Sequence, residues 1–425
     1  MIKKIQSIRG MHDFFYEDTI YFQHIENTFK KLVTNYGYYE IRLPVLEYSI
    51  LFEKTMTLEN NISKEMYTFV DKNKKNITIR PEGTASCVRS FIQHGLFRLN
   101  QQQFWYIGPM FRHEKPQKGR YRQFYQLGIE KFGCIGPNSD IELILMINRW
   151  WKILGINKNI SLEINFLGEK KEYEKYKKEL TKFFIKYENH LDNNCKKYIK
   201  KHPMKILNKK NIKTQRLLDD APKILNFLNK KSKKHFDNIC KFLDRMNISY
   251  KINPNLMRGL GYYNNTIFEW ITYDLGKKIT ICGGGRYDCL INKLGGPKTP
   301  AIGLSAGLER LSLLIKLVNP ECVIYKYIDI YIITTNHDVL KKEAILLSEY
   351  IRDTLPSLNI MINYKKQSIS KQFKKANKLK SKIVLFFGEK ENEEKIIILK
   401  DLKKKKQKIL KKNKIIKNLK IFFNI

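Results

Sequence analysis

Three short segments carry residue types suited to binding anionic substrates. The first begins at Phe111-Arg112-His113-Glu114 and returns through Gln126, Gly128 and Glu130. Alternate residues of a strand share a face, so Gln126 and Glu130 are predicted to point the same way, and Gly128 leaves room for a ligand to approach. A cross-strand ion pair between Arg112 and Glu130 is the alternative. The basic loop between them favours binding: Lys115, Lys118, Arg120 and Arg122.

The second segment is rich in glycine. Residues 257–263 read MRGLGYY, and residues 283–288 read GGGRYD. Neither run matches G-x-G-x-x-G or the P-loop, so a Rossmann or Walker phosphate site is not supported. Tight loops over a core remain an alternative to a substrate-binding role.

The third segment, GLSAGLER at 303–310, places Arg310 away from the apolar stripe of a predicted helix. Taken alone, this pattern favours an ordinary exposed helix arginine. A functional role for Arg310 needs support from the other two segments.

The elements that must position these residues form a mixed body. Apolar residues at helical spacing predict a helix over 17–36, which ends at Gly37. Two strands, 104–114 and 123–133, form an antiparallel hairpin with a long basic loop. A helix from about Asp140 to Gly155 follows, with Ser139 and Glu142 placed as a capping box.

The remaining chain changes character twice. Residues 166–250 are lysine-rich and predicted helical, and strands are expected near 265–272 and 277–283. Apolar spacing from Leu304 to Val318 predicts one closing helix, ended by Asn319-Pro320. Beyond it, strand and helix patterns alternate and end in a basic helix, which predicts a separate α/β domain.

The composition limits the classes of protein. A chain of 425 residues with 43% apolar and 28% charged residues is large enough for two or three folded domains and is not mainly disordered. Its net charge of +39 favours a polyanionic partner such as nucleic acid. Residues 166–250 carry 23 basic and 10 acidic side chains and residues 325–425 carry 25 and 10, an uneven distribution that codon drift alone does not explain.

Seven scattered cysteines show no C-x-x-C pair and no zinc spacing, so they are interpreted as reduced thiols and no protein metal site is predicted. The start lacks an apolar signal run, and no stretch approaches a membrane span. We therefore expect a soluble, cytoplasmic protein.

Together these segments resemble the bacterial histidyl-tRNA synthetases, over essentially the whole chain. The matching runs are IRGMHDFF at the start, RPEGTA at 80–85, GPMFRHEKPQKGRYRQFYQLGIEKFG at 108–133, RGLGYYNNTIFEW at 258–270, GGGRYD at 283–288 and GLSAGLERL at 303–311. Arg112 and Arg310 match the arginines of class II motifs 2 and 3, and the run around Pro44 resembles motif 1.

The resemblance implies an α+β class II synthetase catalytic core, an antiparallel sheet with helices, with a helical insertion and a C-terminal α/β anticodon-binding domain. The expected boundaries are residues 1–165 and 251–324 for the catalytic domain, 166–250 for the insertion and 325–425 for the anticodon-binding domain. It also implies a homodimer formed through motif 1.

The implied activity is a histidine–tRNA ligase reaction. L-Histidine and ATP, accompanied by Mg²⁺, give histidyl-adenylate and diphosphate, and the histidyl group then passes to the 3′ end of the histidine tRNA, releasing AMP. Displacement at phosphorus depends on positioning and charge neutralisation, which suits arginines. The implied catalytic residues are Arg112 at the α-phosphate, Arg258 beside it and Arg310 at the γ-phosphate, and Arg120 is expected to help bind ATP.

The implied histidine site separates the two ends of the amino acid. Glu82, Gly83, Thr84 and Gln126 match the residues that hold the α-ammonium group. Arg112 and Arg258 lie on the carboxylate side. The imidazole carries two polar nitrogens that are costly to bury unpaired, and the matching partners are Glu130 and Tyr263, with Tyr262 and Tyr287 nearby.

One departure from the family pattern is Gly261, which replaces the acidic residue usual in RGLDYY. Two other classes of protein would account for part of the sequence. A catalytically inactive relative that regulates histidine biosynthesis typically lacks the anticodon domain and the phosphate-binding arginines, all of which are present here. A nonenzymatic basic RNA-binding protein would explain the charge but not Glu82, Gln126 and Glu130.

Overall fold

The computed structural model describes residues 4–55, 64–99, 102–117, 119–207, 212–258, 260–322 and 328–425. Lys118 of the basic loop and Gly259 of the glycine-rich segment lie outside the described residues. Contacts divide the chain into two compact units, Met1–Val323 and Ile324–Ile425.

The first unit is built on a large sheet whose described strands follow the order β1-β5-β6-β11-β10-β9-β7-β8. All neighbours from β5 to β7 are antiparallel, and β1 and β8 join the two edges in parallel. A small antiparallel sheet has the order β2-β4-β3. The strands are β1 (Tyr39–Glu40), β2 (Leu46–Tyr48), β3 (Tyr67–Val70), β4 (Asn76–Ile79), β5 (Gln102–Phe111), β6 (Gln123–Phe132), β7 (Ser161–Phe166), β8 (Tyr250–Ile252), β9 (Asn264–Thr272), β10 (Ile279–Arg286) and β11 (Ala301–Gly307).

Helices pack on both faces of the large sheet: one face carries the main core, and the other combines polar residues with a smaller apolar cluster that includes Phe91 and Phe132. Leu127 and Ile129 of β6 are buried in the main core with Phe29 and Trp150, whose ring centres are 5.0 Å apart. Burying each such side chain contributes about 1.5–3 kcal/mol. The helices are α1 (Glu17–Asn35), α2 (Ser49–Thr55), α3 (Thr84–Gln93), α4 (Pro137–Ile153), α5 (Lys170–Lys186), α6 (Asn193–Lys196), α7 (Met204–Leu207), α8 (Ile212–Asp219), α9 (Lys230–Arg245), α10 (Leu290–Lys293) and α11 (Leu308–Val318).

The lysine-rich segment contributes to two cores. Helix α5 buries Tyr176, Leu180 and Phe184 in a second core that also includes Ile267 of β9, whereas α9 buries Phe236 and Leu243 in the main core. Glu172 near the start of α5 holds the beginnings of the two helices together. Its carboxylate accepts hydrogen bonds from the backbone N–H of Asn229 at 2.6 Å and from the hydroxyl of Ser232 at 2.9 Å.

Two predictions about helix starts were wrong. Helix α4 begins at Pro137, whose fixed φ suits the first helical position. The predicted capping box is not formed, because Glu142 pairs with Lys131 and the Ser139 hydroxyl accepts a hydrogen bond from Arg286 at 2.7 Å. Helix α11 begins only at Leu308; Leu304 lies in strand β11, because a short apolar run does not distinguish a buried strand from a helix.

The second unit contains a five-stranded sheet of order β13-β12-β14-β15-β16, in which β12, β13 and β14 are parallel and β15 and β16 are antiparallel additions. The predicted alternation is present and ends in a helix, but β16 and the short helix α14 were missed. The elements are β12 (Ile330–Thr334), α12 (Asp338–Thr354), β13 (Ile360–Ile362), α13 (Ile369–Lys378), β14 (Ile383–Phe387), α14 (Glu389–Glu393), β15 (Ile396–Asp401), β16 (Gln407–Lys411) and α15 (Ile415–Phe423).

All seven cysteines lie among the described residues and are free thiols. Within the described ranges, no helix combines the length and apolarity that a membrane crossing requires.

Candidate active site

The centre of the site is Glu130, which is fully buried on the polar face of β6. One carboxylate oxygen accepts hydrogen bonds from the Thr84 hydroxyl at 2.7 Å and the Tyr106 hydroxyl at 3.1 Å. The Tyr287 hydroxyl donates to the other oxygen. Burial raises the pKa of Glu130 to about 8, although the three hydroxyl donors act in the opposite direction.

Glycines create the space for this carboxylate cluster. Gly303 of β11 faces Glu130, and a Cβ there would lie 1.8 Å from a Glu130 carboxylate oxygen. A Cβ at Gly128 would lie 2.1 Å from the Tyr106 ring. The prediction that Gly128 leaves room for a ligand was wrong, because Tyr106 fills that room. Tyr106 was not among the predicted site residues. A Cβ at Gly83 would also collide with the Tyr106 ring, so both glycines make room for this side chain.

The start of α3 places a second buried carboxylate beside the first. Glu82 accepts hydrogen bonds from the backbone N–H groups of Thr84 at 2.6 Å and Ala85 at 2.8 Å. Burial raises the pKa of Glu82, and these two N–H groups, followed by Arg112, oppose the increase. A helix start thereby holds the carboxylate in place.

Gln126 lies on the same face of β6 as Glu130. Its side-chain amide donates to the Ser305 hydroxyl at 2.9 Å, while its carbonyl oxygen is buried and has no hydrogen-bond partner within the described parts of the chain. Because an unpaired buried acceptor is costly, this oxygen is suited to receive a donor from a ligand.

Three tyrosines pack around the cluster. The Tyr262 ring centre lies 4.8 Å from that of Tyr263 and 5.7 Å from that of Tyr287. The hydroxyl of Tyr262 is buried and interacts with the Thr84 side chain. The structure therefore brings together the predicted residues of the two glycine-rich segments and the hairpin.

A separate arginine cluster lies at the loop end of the β5–β6 hairpin. Arg112 donates to the Pro81 carbonyl at 2.9 Å, and its guanidinium carbon lies 5.1 Å from the centre of the Phe124 ring. The alternative of an Arg112–Glu130 ion pair is therefore not observed among the described contacts. Arg120 pairs with Glu114 at 2.8 Å.

Arg310 joins this cluster from the start of α11. It donates to the carbonyls of Gly119 at 3.0 Å and Thr280 at 2.8 Å, so it is not the ordinary exposed helix arginine that its spacing favoured. Burial lowers the pKa of Arg310, and the positive charges of Arg120 and Arg112 lower it further. Like charges held close together attract a polyanion such as a triphosphate.

Arg258 occupies a third position. Its guanidinium pairs with Glu269 of β9 at 2.6 Å and lies 5.5 Å from the centre of the Tyr263 ring. Burial alone would lower the pKa of Arg258, but Tyr263 and Glu269 outweigh that effect and raise it. Glu269 was missed because a single strand carboxylate gives no pattern.

Metal ligands are sparse in this part of the molecule. No group of three or more His, Cys, Asp or Glu side chains suited to a metal ion occurs among the residues the structure describes.

The arrangement can bind a small molecule through buried carboxylates while arginines neutralise phosphate charge next to it. An antiparallel sheet with a motif 2 hairpin and a motif 3 helix arginine places the chain among the class II aminoacyl-tRNA synthetases.

Comparisons with known proteins identify the branch. Residues 10–311 match the family model described as histidyl-tRNA synthetase, and residues 329–421 match an anticodon binding domain. The chain therefore belongs to the histidyl-tRNA synthetase family, as its sequence motifs predicted. It is an aminoacyl-tRNA ligase that charges histidine tRNA.

Similar individual proteins agree with this assignment. The histidine–tRNA ligase of Blochmanniella pennsylvanica (strain BPEN) is 49% identical over 100% of this chain and 97% of its own length. The crystal structure of apo S. aureus histidyl-tRNA synthetase matches with a TM-score of 0.80 and 32% identity, over 98% of this chain and 99% of that one. A Bacillus halodurans structure described as an ATP phosphoribosyltransferase regulatory subunit/histidyl-tRNA synthetase has a TM-score of 0.67 at 19% identity, over 91% of this chain and 99% of that one, and shows the fold alone.

Proposed function

We propose that the described site performs both halves of histidine tRNA charging. In the first half, L-histidine attacks the α-phosphorus of ATP and displaces diphosphate; in the second, the histidyl group passes to a terminal hydroxyl of histidine tRNA and AMP leaves. The observation that carries this assignment is a buried, hydroxyl-bound carboxylate beside a cluster of arginines.

The imidazole ring is assigned to Glu130 and Tyr263. Glu130 has one carboxylate oxygen with a single donor, Tyr287, and so retains capacity for an N–H from a ring. Tyr262, Tyr263 and Tyr287 supply aromatic faces to either side. A phenyl ring offers no N–H for the remaining acceptor capacity of Glu130, which disfavours phenylalanine.

The α-ammonium group is assigned to Glu82, Thr84 and Gln126, with Gly83 allowing the chain to pass closely over the site. The unpaired carbonyl oxygen of Gln126 supports this assignment. Arg112 and Arg258 then face the carboxylate and the α-phosphate.

ATP is assigned to the arginine cluster. Arg112 would neutralise the α-phosphate, and Arg120 and Arg310 the outer phosphates. Mg²⁺ is proposed to arrive with ATP and to be held mainly by phosphate oxygens, since Mg²⁺ in such sites keeps several waters and takes few protein ligands. When bound, it would withdraw charge from the leaving diphosphate.

Histidine-dependent exchange of labelled diphosphate into ATP tests the first half-reaction. We expect exchange with L-histidine and none with L-phenylalanine. Absence of histidine-dependent exchange would overturn the assignment and favour a nonenzymatic regulatory or RNA-binding role.

The second half-reaction is proposed to depend on residues 325–425, which carry 25 basic and 10 acidic side chains. Phosphate contacts made by lysines release counterions, so tRNA affinity should fall steeply with salt while histidine affinity does not. A chain ending at Cys322, checked for fold by circular dichroism, should retain exchange but lose most of its kcat/KM for tRNA. Unchanged tRNA charging would exclude an anticodon-binding role.

A homodimer is proposed through the surface around Pro44. Apolar side chains are exposed there, with Tyr39 at 70% and Val70 at 62%, and exposed apolar side chains that cluster on a surface mark interaction sites. The other members are Val45, Leu46, Tyr48, Ile50 and Phe69. Light scattering should give twice the chain mass, Tyr48→Glu should give monomers, and Ile421→Glu at a 67% exposed position in the second unit should not. A cytoplasmic location is proposed with the tRNA substrate.

A further inference from the structure

We propose that Glu269 and Thr280 form a bracket that positions Arg258 and Arg310 relative to each other during adenylate formation. The inference rests on the proposed function, because it concerns the arginines assigned to ATP. Glu269 lies in the run at 258–270 that resembles the family but has no role assigned there, and Thr280 lies in none of the matching runs.

The bracket is a continuous chain of contacts between the two arginines. One oxygen of the Glu269 carboxylate accepts from the Arg258 guanidinium at 2.6 Å. The other accepts from the Thr280 hydroxyl at 2.8 Å. The backbone carbonyl of Thr280 in turn accepts from the Arg310 guanidinium at 2.8 Å. Arg258 and Arg310 are thus joined through two residues on adjacent strands.

A β-bulge aims Thr280 into this bracket. The pairing of β10 with β9 shifts register between Thr280 and Cys282, so both Ile281 and Cys282 point into the main core. With strict alternation, Thr280 would share the core face with Cys282. The extra residue instead returns Thr280 to the polar face, where Glu269 lies. Bulges that re-aim side chains are common beside active sites.

Close approach of Arg258 depends on a third residue of the same strands. Gly283 pairs directly with Glu269, and a Cβ at Gly283 would lie 2.2 Å from a terminal nitrogen of Arg258. The absence of a side chain lets the guanidinium lie flat over β10. The side chains of Arg258 and Glu269 are each only 15% exposed, so solvent screens the attraction between them weakly.

The chemistry of Glu269 requires a carboxylate. Arg258 can only donate, whereas the Thr280 hydroxyl can donate or accept. Glu269→Gln can therefore keep both hydrogen bonds, its amide N–H donating to Thr280, but it removes the negative charge that holds the Arg258 guanidinium. Glu269 itself does not touch the reacting atoms, so it is a positioning residue.

Substitutions at Thr280 separate positioning from packing. Thr280→Val keeps the shape and removes the hydroxyl, whereas Thr280→Ser keeps the hydroxyl and removes a methyl group. A lost hydrogen bond to a charged group corresponds to roughly a 10- to 100-fold change. In histidine-dependent diphosphate exchange, we expect kcat to fall about tenfold in Thr280→Val and about 100-fold in Glu269→Gln, with Thr280→Ser close to the unsubstituted protein.

Two further readouts sharpen the test. The KM for histidine should change less than about threefold, since the ring contacts at Glu130 are untouched. The double variant Glu269→Gln/Thr280→Val should be no slower than Glu269→Gln alone, because Thr280 acts through that carboxylate. A Thr280→Val kcat within twofold of the unsubstituted protein, an equal loss in Thr280→Ser, or additive losses would each overturn the bracket. If the unsubstituted protein shows no exchange, the proposed function itself fails, and the bracket with it.

Discussion

The carboxylate cluster around Glu130 and the arginine cluster at the hairpin loop are built on opposite principles. Around Glu130, hydroxyl groups and absent side chains already satisfy a buried carboxyl group before any ligand arrives. At the hairpin loop, burial and the positive charges of Arg120 and Arg112 lower the pKa of Arg310, and the guanidiniums of Arg112 and Arg310 are held by backbone carbonyls. Selection of the amino acid therefore depends on a preformed cavity wall, whereas phosphate binding depends on arginines that neutral carbonyls hold in place.

The largest expected effect comes from removing Glu130, the hydrogen-bond acceptor at the centre of the carboxylate cluster. Glu130→Ala should lower kcat/KM for histidine in diphosphate exchange by about 10³-fold or more, because the ring nitrogens and three hydroxyls lose their partner. The KM for ATP should change by less than about threefold. Near-normal histidine activation would show that the ring is bound elsewhere.

The substitution Arg310→Gln tests the role of the arginine cluster in ATP binding. It retains a side-chain donor for a carbonyl but removes one positive charge, so kcat/KM for ATP should fall about 10²-fold. The thermal midpoint should fall little, because repulsion from Arg120 and Arg112 is relieved. A large loss of stability with unchanged ATP kinetics would reverse the comparison and make Arg310 structural.

The next prediction concerns the pH dependence of stability that Glu130 causes in the carboxylate cluster. The folded protein raises the pKa of Glu130 from 4.5 to about 8 and so binds a proton that the unfolded chain has released. Its contribution is fully present below pH 4.5 and is lost as pH rises to about 8, at up to about 1.4 kcal/mol per pH unit. Urea unfolding without ligand between pH 5 and 8 should show a shallower slope for Glu130→Gln. Identical slopes would mean that Glu130 is already ionised.

The smallest expected effect concerns Gly261, exposed beside Tyr262. Glycine increases the conformational freedom of the loop that presents Arg258 and Tyr263, at a cost of about 1 kcal/mol on ordering. Gly261→Asp should therefore improve kcat/KM for histidine by about fivefold or less. An unchanged or poorer enzyme would indicate that the surrounding residues have adapted to glycine.

Strand alternation predicted part of the carboxylate cluster, because it placed Gln126 and Glu130 on one face. The arginines of the other cluster were predicted only from their resemblance to family motifs. The contacts of Tyr106, Glu269 and Thr280 could not be predicted, because they depend on strand register and on a bulge that no local pattern encodes. Strand β11 was missed for a related reason: its apolar residues fit helical spacing until pairing with β6 and β10 is known.

Glu172 has a consequence for how the family can vary. Glu172 holds the starts of α5 and α9 together, so the two ends of the segment between these helices lie close to each other. The entropic cost of bringing the ends of such a segment together grows only slowly with its length. Evolution can therefore lengthen, shorten or recharge the exposed parts of the segment between Tyr173 and Leu228, provided that the core that packs against Tyr263 is kept, and differences in length among relatives should accumulate there.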